Sequence, residues 1–347
     1  MTAEARSRHR MVNLAPIALA ILVAVVLLLL AGTNPLEAFK LMGEGAFSGW
    51  SKTGETLMAW VPLVMAAAGL IITFNAGLWN IGIEGQIILG GIAASWAARE
   101  VGGPGWVVVP AAIIAGALGG MLWALLAGVL KTRFKVNEIF GGLGLDFVAA
   151  SLAVYLVIGP WARQGIASTS GTDLFRDEAR LPTIIENTRL SLVAIGLAVA
   201  AVVFVFYLMK GTLFGLRLKA VGRNSRSAFL LGIPTSRYML GAFALCGILA
   251  GVAGSMQAIG FHFKLIPAIS GGYGFLGILV VLLAASRAVW IAPVALFFIA
   301  MSRGSTLLDL RLDVDSALGG VITGILVLLV ILGAGWQVRR LKRKAPA

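Results

Sequence analysis

The chain has 347 residues, of which 59% are hydrophobic and 12% charged, and its mean hydropathy is +0.95. Soluble domains carry about 25% charged residues, so this composition excludes a water-soluble protein and indicates a membrane protein. The net charge of +13 does not indicate a nucleic-acid partner, because the basic residues lie in short loops and form no patch interleaved with stacking aromatics.

Ten apolar runs predict ten membrane-spanning helices, since one span needs about 20 mostly apolar residues. We interpret the first run as a retained helix, because no small-residue cleavage site follows it. The eighth and ninth runs are short and could form a re-entrant hairpin, so nine spans are the alternative. The sequence thus predicts an all-α membrane protein, a polytopic bundle with one transmembrane domain over residues 1–347. The predicted spans are 13–32, 56–74, 84–99, 106–130, 137–159, 190–209, 238–260, 273–286, 288–303 and 317–336.

The distribution of basic residues predicts the orientation of the bundle. With the N-terminus in the cytoplasm, 18 of the 28 lysines and arginines fall on the cytoplasmic side, in agreement with the positive-inside rule. Both termini are then cytoplasmic, including a basic tail at 337–347. The same orientation gives a cytoplasmic loop at 211–237 and external loops at 160–189 and 302–316. The mixed charge of the external loops is typical of a solvated surface, or of one that receives a soluble partner.

A polar segment, NAGLWNIGIEGQ at residues 75–86, separates the second and third spans. Its glycines weaken helix continuity, and its amide and carboxylate side chains can satisfy backbone groups freed by a break, so we predict a broken or re-entrant segment here. A charge at the bilayer midplane costs about 2.5–3.5 kcal/mol, so Glu84 needs a partner or a function. One interpretation is a solute pathway in which Phe74 and Trp79 stack on a planar ring. Its candidate residues are Phe74, Asn75, Trp79, Asn80, Glu84 and Gln86.

The alternative interpretation of this segment is structural. Glu84 would lie in the first turn of the third span, where the helix dipole favours a carboxylate, and Trp79 would belong to the aromatic belt at the membrane surface. Sequence alone does not distinguish the two interpretations, because it does not give the depth of the segment.

The fifth predicted span carries two acidic residues. Glu138 is interpreted as a first-turn acid or a loop partner of Lys131 and Arg133. Asp146 lies eight residues further along, and it is the candidate for a hydrogen bond in the pathway or between packed helices. Glycines in other spans are predicted to allow close helix packing without touching solute; they are Gly116, Gly119, Gly120, Gly251 and Gly254.

The cytoplasmic loop predicts a short helix with a clear beginning and end. Asn224 or Ser225 can cap its start, Gly232 can end it, and Pro234 blocks its continuation. Such a stub helix would expose Phe229 and Leu230 between basic residues. Exposed apolar side chains on a cytoplasmic loop indicate a partner surface, although a helix lying at the lipid headgroups is the alternative.

Three blocks of the sequence resemble permease subunits of ABC importers, in the branch that handles nucleosides, simple sugars and branched-chain amino acids. KAVGRNSRSAFLLGI at 219–233 resembles their ATPase-coupling loop, FNAGLWNIGIEGQ at 74–86 their glutamate-containing block, and KVNEIFGGLGLDFVA at 135–149 a third block. Two departures stand out. Asp146 occupies a position where the family usually has asparagine, and LLAASRAVWIAP at 282–293 lacks the expected glycine after its two leucines.

The resemblance implies a transport subunit without its own ATPase, for nucleosides or alternatively for simple sugars, in a bacterial inner membrane. It implies two ATPase domains carrying ATP and Mg, a second permease chain, an external solute-binding protein and surrounding lipid, with no cofactor on this chain. It also implies that Phe229 and Leu230 enter a groove on the ATPase, with Arg223 and Arg226 at its rim. The coupling residues implied are Lys219, Gly222, Arg223, Asn224, Arg226, Ala228, Phe229, Leu230 and Gly232.

Other functional classes fit the sequence less well. The chain has no G-x-x-x-x-G-K-[ST] loop, so any ATP hydrolysis requires another polypeptide. Its only cysteine is Cys246, and its two histidines lie far apart, so neither a disulfide nor a metal site is predicted. The alternative from another class is a proton-coupled secondary transporter using Glu84 and Asp146. An intramembrane enzyme is disfavoured, because no paired catalytic motif is present.

Overall fold

Helices account for the regular structure of the described part of the chain. The computed structural model describes residues 19, 22–30, 32–163, 169–184, 188–312, 320–322, 324–325, 327–329 and 332. The longer helices are α1 Leu22–Leu30, α2 Pro35–Phe47, α3 Gly49–Asn75, α4 Ile83–Glu100, α5 Gly105–Thr132, α6 Glu138–Ile158, α7 Leu192–Gly211, α8 Leu213–Arg223, α10 Thr235–Ser255, α11 Tyr273–Leu283, α12 Ala288–Leu312 and α13 Gly320–Leu329. The six-residue helix α9 is Ser225–Leu230, and a π-helical segment, Met256–His262, continues α10.

Six helices of the described residues are long and apolar enough to cross a membrane: α3, α5, α6, α7, α12, and α10 with its π-helical extension. The helices α1 and α2 meet at 102° and make a seventh if they count as one broken span. The chain is therefore a multi-pass α-helical membrane protein, but the structure does not support the predicted count of about ten spans. The difference arises because α4 carries three charged residues in 18, and α11 is only 11 residues long.

The two predicted external loops have different outcomes in the structure. The external loop predicted at 302–316 is wrong for residues 302–312, because α12 continues through them to Leu312; residues 313–316 lie outside the described part. The loop predicted at 160–189 is largely non-helical where it is described. Its backbone pairs with the segment that follows α10, through Thr172 N to Leu265 O at 2.9 Å and Phe175 N to Phe263 O at 2.8 Å. The terminal segments, including the basic tail at 337–347, lie outside the described residues.

The chain divides into two units, residues 57–295 and residues 1–56 with 296–347. In the unit of residues 1–56 with 296–347, the helices α1, α2, α12 and α13 share an apolar core made by Ala24, Leu28, Ala38, Leu41, Met42, Met301, Leu308 and Ile322. Thr56 Oγ1 donates to Ala46 O at 2.7 Å within the same unit.

In the unit of residues 57–295, α4, α5 and α10 pack so closely that their backbones touch at glycines. A Cβ atom added at Gly251 would overlap Gly116 O and stand 3.1 Å from Ala117 Cα, and one at Gly119 would stand 2.8 Å from Leu89 O. A Cβ atom added at Gly254 would stand 2.6 Å from Gly91 N. The predicted role of these glycines in close helix packing is confirmed, as expected where small residues let helices approach in a membrane.

Replacing Gly251 by alanine is expected to lower the free energy of unfolding by about 1–3 kcal/mol. The added methyl group meets backbone atoms, which cannot move aside by changing a side-chain rotamer. Gly196→Ala on α7 is the matched control, since a Cβ there has nothing within 4 Å. Thermal unfolding of the purified protein in detergent measures both variants. Equal midpoints for the two would contradict the packing assigned to Gly251.

Candidate functional site

The helix break predicted at 75–86 is present: α3 ends at Asn75, α4 begins at Ile83, and residues 76–82 are non-helical. Gly77 ends α3 with a left-handed φ of 72°. Its amide donates to Phe74 O and the Leu78 amide donates to Thr73 O, both at 3.0 Å. This pair of bonds is the Schellman pattern, which requires a residue with positive φ and so explains glycine at this position.

Two buried amide side chains fasten the break to its surroundings. Asn80 Nδ2 donates to Gln86 Oε1 at 3.2 Å and Gln86 Nε2 donates to Asn80 Oδ1 at 3.0 Å, and Asn80 Nδ2 also lies 3.2 Å from Cys246 Sγ on α10. Asn75 Nδ2 donates to Ile71 O at 2.8 Å, within the last turn of α3. These amides therefore satisfy one another and the local backbone, as expected of buried polar groups.

Glu84 joins the break to the start of α11. It lies in the first turn of α4 and is buried, and its carboxylate accepts the Gly272 amide at 3.1 Å and the Gly274 amide at 2.7 Å. The first amides of a helix have no partner inside the helix, and the helix dipole favours an anion there. Gly272, the N-cap of α11, offers no side chain for this purpose. Glu84 thus has the partner that its burial demands, on another helix.

Asp146 accepts a hydrogen bond from the start of α4, as Glu84 does from the start of α11. Asp146 Oδ1 accepts the Gly85 amide at 2.7 Å, and α4 lacks a cap of its own because its N-cap residue is Gly82. Asp146 Oδ2 and Trp123 Nε1 are buried without a hydrogen-bond partner among the described residues. Both residues lie beside Gly85, where a Cβ atom would stand 2.8 Å from Asp146 Oδ1 and from Trp123 Nε1. One open acceptor and one open donor therefore remain next to the start of α4.

The aromatic pair predicted at the break is in contact. The ring centroids of Phe74 and Trp79 are 5.0 Å apart at an interplanar angle of 47°, and Trp79 is 47% exposed. The exposed face of Trp79 is therefore the accessible aromatic surface of the break.

Glu138 forms an ion pair with Lys131 at 2.5 Å, which confirms the interpretation of Glu138 as a loop partner of this lysine.

The predicted stub helix is present as α9. Asn224 caps it by accepting the Ser227 amide at 3.0 Å. Gly232 ends it with a φ of 80°, donating to Phe229 O at 2.9 Å, while Ile233 donates to Ala228 O at 3.0 Å. This is a second Schellman pattern, so local sequence alone defines both ends of the helix.

Helix α9 turns its apolar residues outward. Ala228 is its one buried residue, whereas Phe229 is 65% exposed, Leu230 78% and Leu231 80%. Leu231 was missed by the sequence interpretation, although it directly follows the other two. Arg223 and Arg226 are exposed beside this surface, and neither forms an ion pair with a described residue. The result is an apolar surface with a basic rim.

The helix break at 76–82 and the loop that carries α9 contact each other through backbone atoms. Gly222, near the end of α8, packs against the break: a Cβ atom there would overlap Asn75 O and stand 2.9 Å from Ala76 C. Seen from the other side, a Cβ on Gly77 would stand 3.0 Å from Gly222 O. Lys219 Nζ donates to Met209 O at 2.5 Å and so ties α8 to α7. No local pattern predicted the Gly222 contact, because the two glycines are 145 positions apart in the chain.

A bundle of apolar helices with a polar helix break, packed against a loop with an exposed apolar stub helix, defines an integral membrane protein with a surface suited to a partner. The chain belongs to the family described as branched-chain amino acid transport system / permease component, whose profile matches residues 53–331. It is therefore the permease component of an ABC transporter, and ATP hydrolysis takes place on separate subunits.

Three relatives illustrate the family. The guanosine ABC transporter permease protein NupP of Bacillus subtilis is 26% identical over 94% of both chains. The glucose ABC transporter permease protein TsgB13 of Haloferax volcanii is 32% identical over 90% of this chain and 84% of its own. The nucleoside ABC transporter permease protein NupB of Lactococcus lactis is 25% identical over 86% of this chain and 85% of its own.

Proposed function

We propose that this chain forms the membrane pathway of an ATP-driven importer of nucleosides. The observation that carries the proposal is α9, which presents Phe229, Leu230 and Leu231 to solvent inside a basic rim. A helix that transmits movement from an ATPase needs such an exposed surface to bind it. NupP and NupB are named for guanosine and nucleosides, which supports this solute class. The alternative is a simple sugar, supported by the 32% identity with the glucose permease TsgB13.

The proposed assembly contains three kinds of partner besides membrane lipid. An ABC ATPase, carrying ATP and Mg, receives α9 with the residues from Arg223 to Gly232, while Lys219 and Gly222 of α8 couple this surface to the rest of the chain. A second homologous permease, or a second copy of this chain, completes the pathway. An external solute-binding protein delivers solute in a bacterial inner membrane. We propose no cofactor, metal or nucleic acid on this chain itself.

In this assembly the chain forms one permease domain with both termini in the cytoplasm and ten crossings or half-crossings. The short helices α4, α11 and α13 supply the crossings beyond the long ones. One feature shared by two short helices supports this arrangement. Helices α4 and α11 both start at buried carboxylates, Asp146 and Glu84, which replace the water that would otherwise satisfy their first amides.

The proposed pathway follows the break. Phe74 and Trp79 provide ring faces for a planar base, and Asn75, Asn80, Glu84, Gln86 and Asp146 hold the surrounding backbone in place. Stacking of a base on an aromatic side chain contributes about 1–3 kcal/mol. Because Trp79 is the exposed member of the pair, it is the residue expected to touch solute.

Changing Trp79 to alanine is therefore expected to reduce the apparent affinity for guanosine uptake about tenfold, and Trp79→Phe to restore most of it. The control is Trp96→Ala on α4, another exposed tryptophan outside the break. Concentration dependence of uptake by cells carrying the complete transporter gives the measurement. Unchanged affinity in Trp79→Ala would remove the ring from the pathway.

Identification of the proteins that bind this chain tests the proposed function as a whole. The tagged chain is purified from its native host in mild detergent, and stoichiometric partners are identified by mass spectrometry. We expect an ATPase with a phosphate-binding loop, a second permease and a binding protein whose ligand identifies the solute. Recovery of this chain alone, active in proteoliposomes without ATP, would overturn the proposal in favour of a proton-coupled carrier.

A further inference from the structure

The contact between Gly222 and the helix break leaves no free space. A Cβ on Gly222 would meet carbonyl oxygen and carbon atoms of Asn75 and Ala76, all of them backbone. On the other side of the break, a Cβ on Gly82 would stand 2.9 Å from Gly142 Cα of α6. The segment 76–82 is thus held between α8 and α6. Closely packed atoms do not compress, so a displacement of α8 must displace the break.

Beyond the break, one side chain carries the connection onward. The break runs directly into α4, whose second residue is Glu84, and the Glu84 carboxylate holds the Gly272 and Gly274 amides at the start of α11. The backbone of α4 also lies directly against Gly274, where an added Cβ would stand 2.8 Å from Glu84 Cα. The start of α11 therefore cannot shift independently of the first turn of α4.

We propose that the Gly222 contact passes movement of the α8–α9 segment through the helix break to the start of α11, with Glu84 as the positioning residue that joins α4 to α11. This inference rests on the proposed function, because the movement originates in an ATPase bound to α9. It assigns to Gly222 a transmitting role distinct from ATPase docking, and to Glu84 a role that does not require contact with solute.

The Gly272 and Gly274 amides report this connection directly, because their exchange with deuterium depends on the hydrogen bonds to Glu84. The experiment uses the complete transporter and compares exchange in peptides covering 76–82 and 270–276, with and without saturating ATP. In the natural sequence, ATP is expected to change exchange in both peptides. In Gly222→Ala, the ATPase remains bound and active, but the change at 270–276 is lost and solute transported per ATP hydrolysed falls at least tenfold.

The matched control is Gly211→Ala, in the same cytoplasmic region, where an added Cβ has nothing within 4 Å; it should behave like the natural sequence. Glu84→Gln is the second variant, used also if Gly222→Ala does not assemble. It keeps the Gly222 contact and the backbone contact at Gly274, but α11 loses one of its two acceptor oxygens. ATP should therefore change exchange at 76–82 as in the natural sequence, and change it much less at 270–276.

Two failures are distinguishable. If ATP changes exchange at 270–276 in Gly222→Ala, or in Glu84→Gln, as much as in the natural sequence, the inference is overturned while the proposed function stands. If the natural sequence neither binds an ATPase nor responds to ATP, the proposed function itself fails.

Discussion

Changing Phe229 to aspartate is expected to abolish ATP-driven transport while leaving the fold intact. The side chain is 65% exposed, so its replacement disturbs no packed neighbour, and folding stability should change by no more than about 0.5 kcal/mol. In the proposed complex a charge buried in the ATPase groove is costly, and loss of a central aromatic anchor typically costs 2 kcal/mol or more, which weakens binding about 30-fold. Pull-down of the ATPase, together with uptake, measures both effects.

Leu174→Asp is the control for Phe229→Asp. Leu174 is 61% exposed, in the loop between α6 and α7, so the substitution introduces the same charge at a similarly exposed position away from α9. It should retain ATPase binding. Normal transport by Phe229→Asp, with a folded protein, would show that α9 is a surface helix lying at the headgroups and would end its role as a lever.

Replacing Glu84 by leucine is expected to lower the free energy of unfolding by about 2–5 kcal/mol. The buried amide of Gly274 and the partly buried amide of Gly272 lose their acceptor, and an unsatisfied buried donor costs about 1–3 kcal/mol. Transport should be lost as well, because the start of α11 is no longer held. Glu84→Gln keeps one acceptor oxygen and should show roughly half the loss of stability.

Glu100→Leu is the control at the other end of α4, where the carboxylate is exposed. It should leave the unfolding midpoint in detergent nearly unchanged. A Glu84→Leu protein as stable as the natural one would mean that the carboxylate is not an anchor, and a pathway or proton-transfer role would then be the better account of its burial.

Local sequence predicted those features whose physical cause is local. The break at 75–86 and the ends of α9 depend on glycines at positive φ, on an asparagine cap and on a proline that follows, and all of these can be read within a few residues. The polar nature of the break also predicted that Glu84 needs a partner.

What the sequence could not supply was the identity of distant partners. Glu84 is bonded to Gly272 and Gly274, Asp146 to Gly85, and Gly222 touches the break, and each contact joins segments far apart in the chain. The external loop predicted at 302–316 was wrong for a different reason. Charged residues at 303, 309 and 311 indicated a loop, yet α12 carries them without ending, because helix geometry is set by backbone bonding and not by hydropathy.

The most direct test of the account is uptake of labelled guanosine by proteoliposomes containing the complete transporter, with the solute-binding protein outside and either ATP inside or an imposed proton gradient. The account predicts accumulation with internal ATP alone, and none with the gradient alone. Accumulation driven by the gradient without ATP would contradict it, and would make Glu84 and Asp146 the residues to examine as proton carriers.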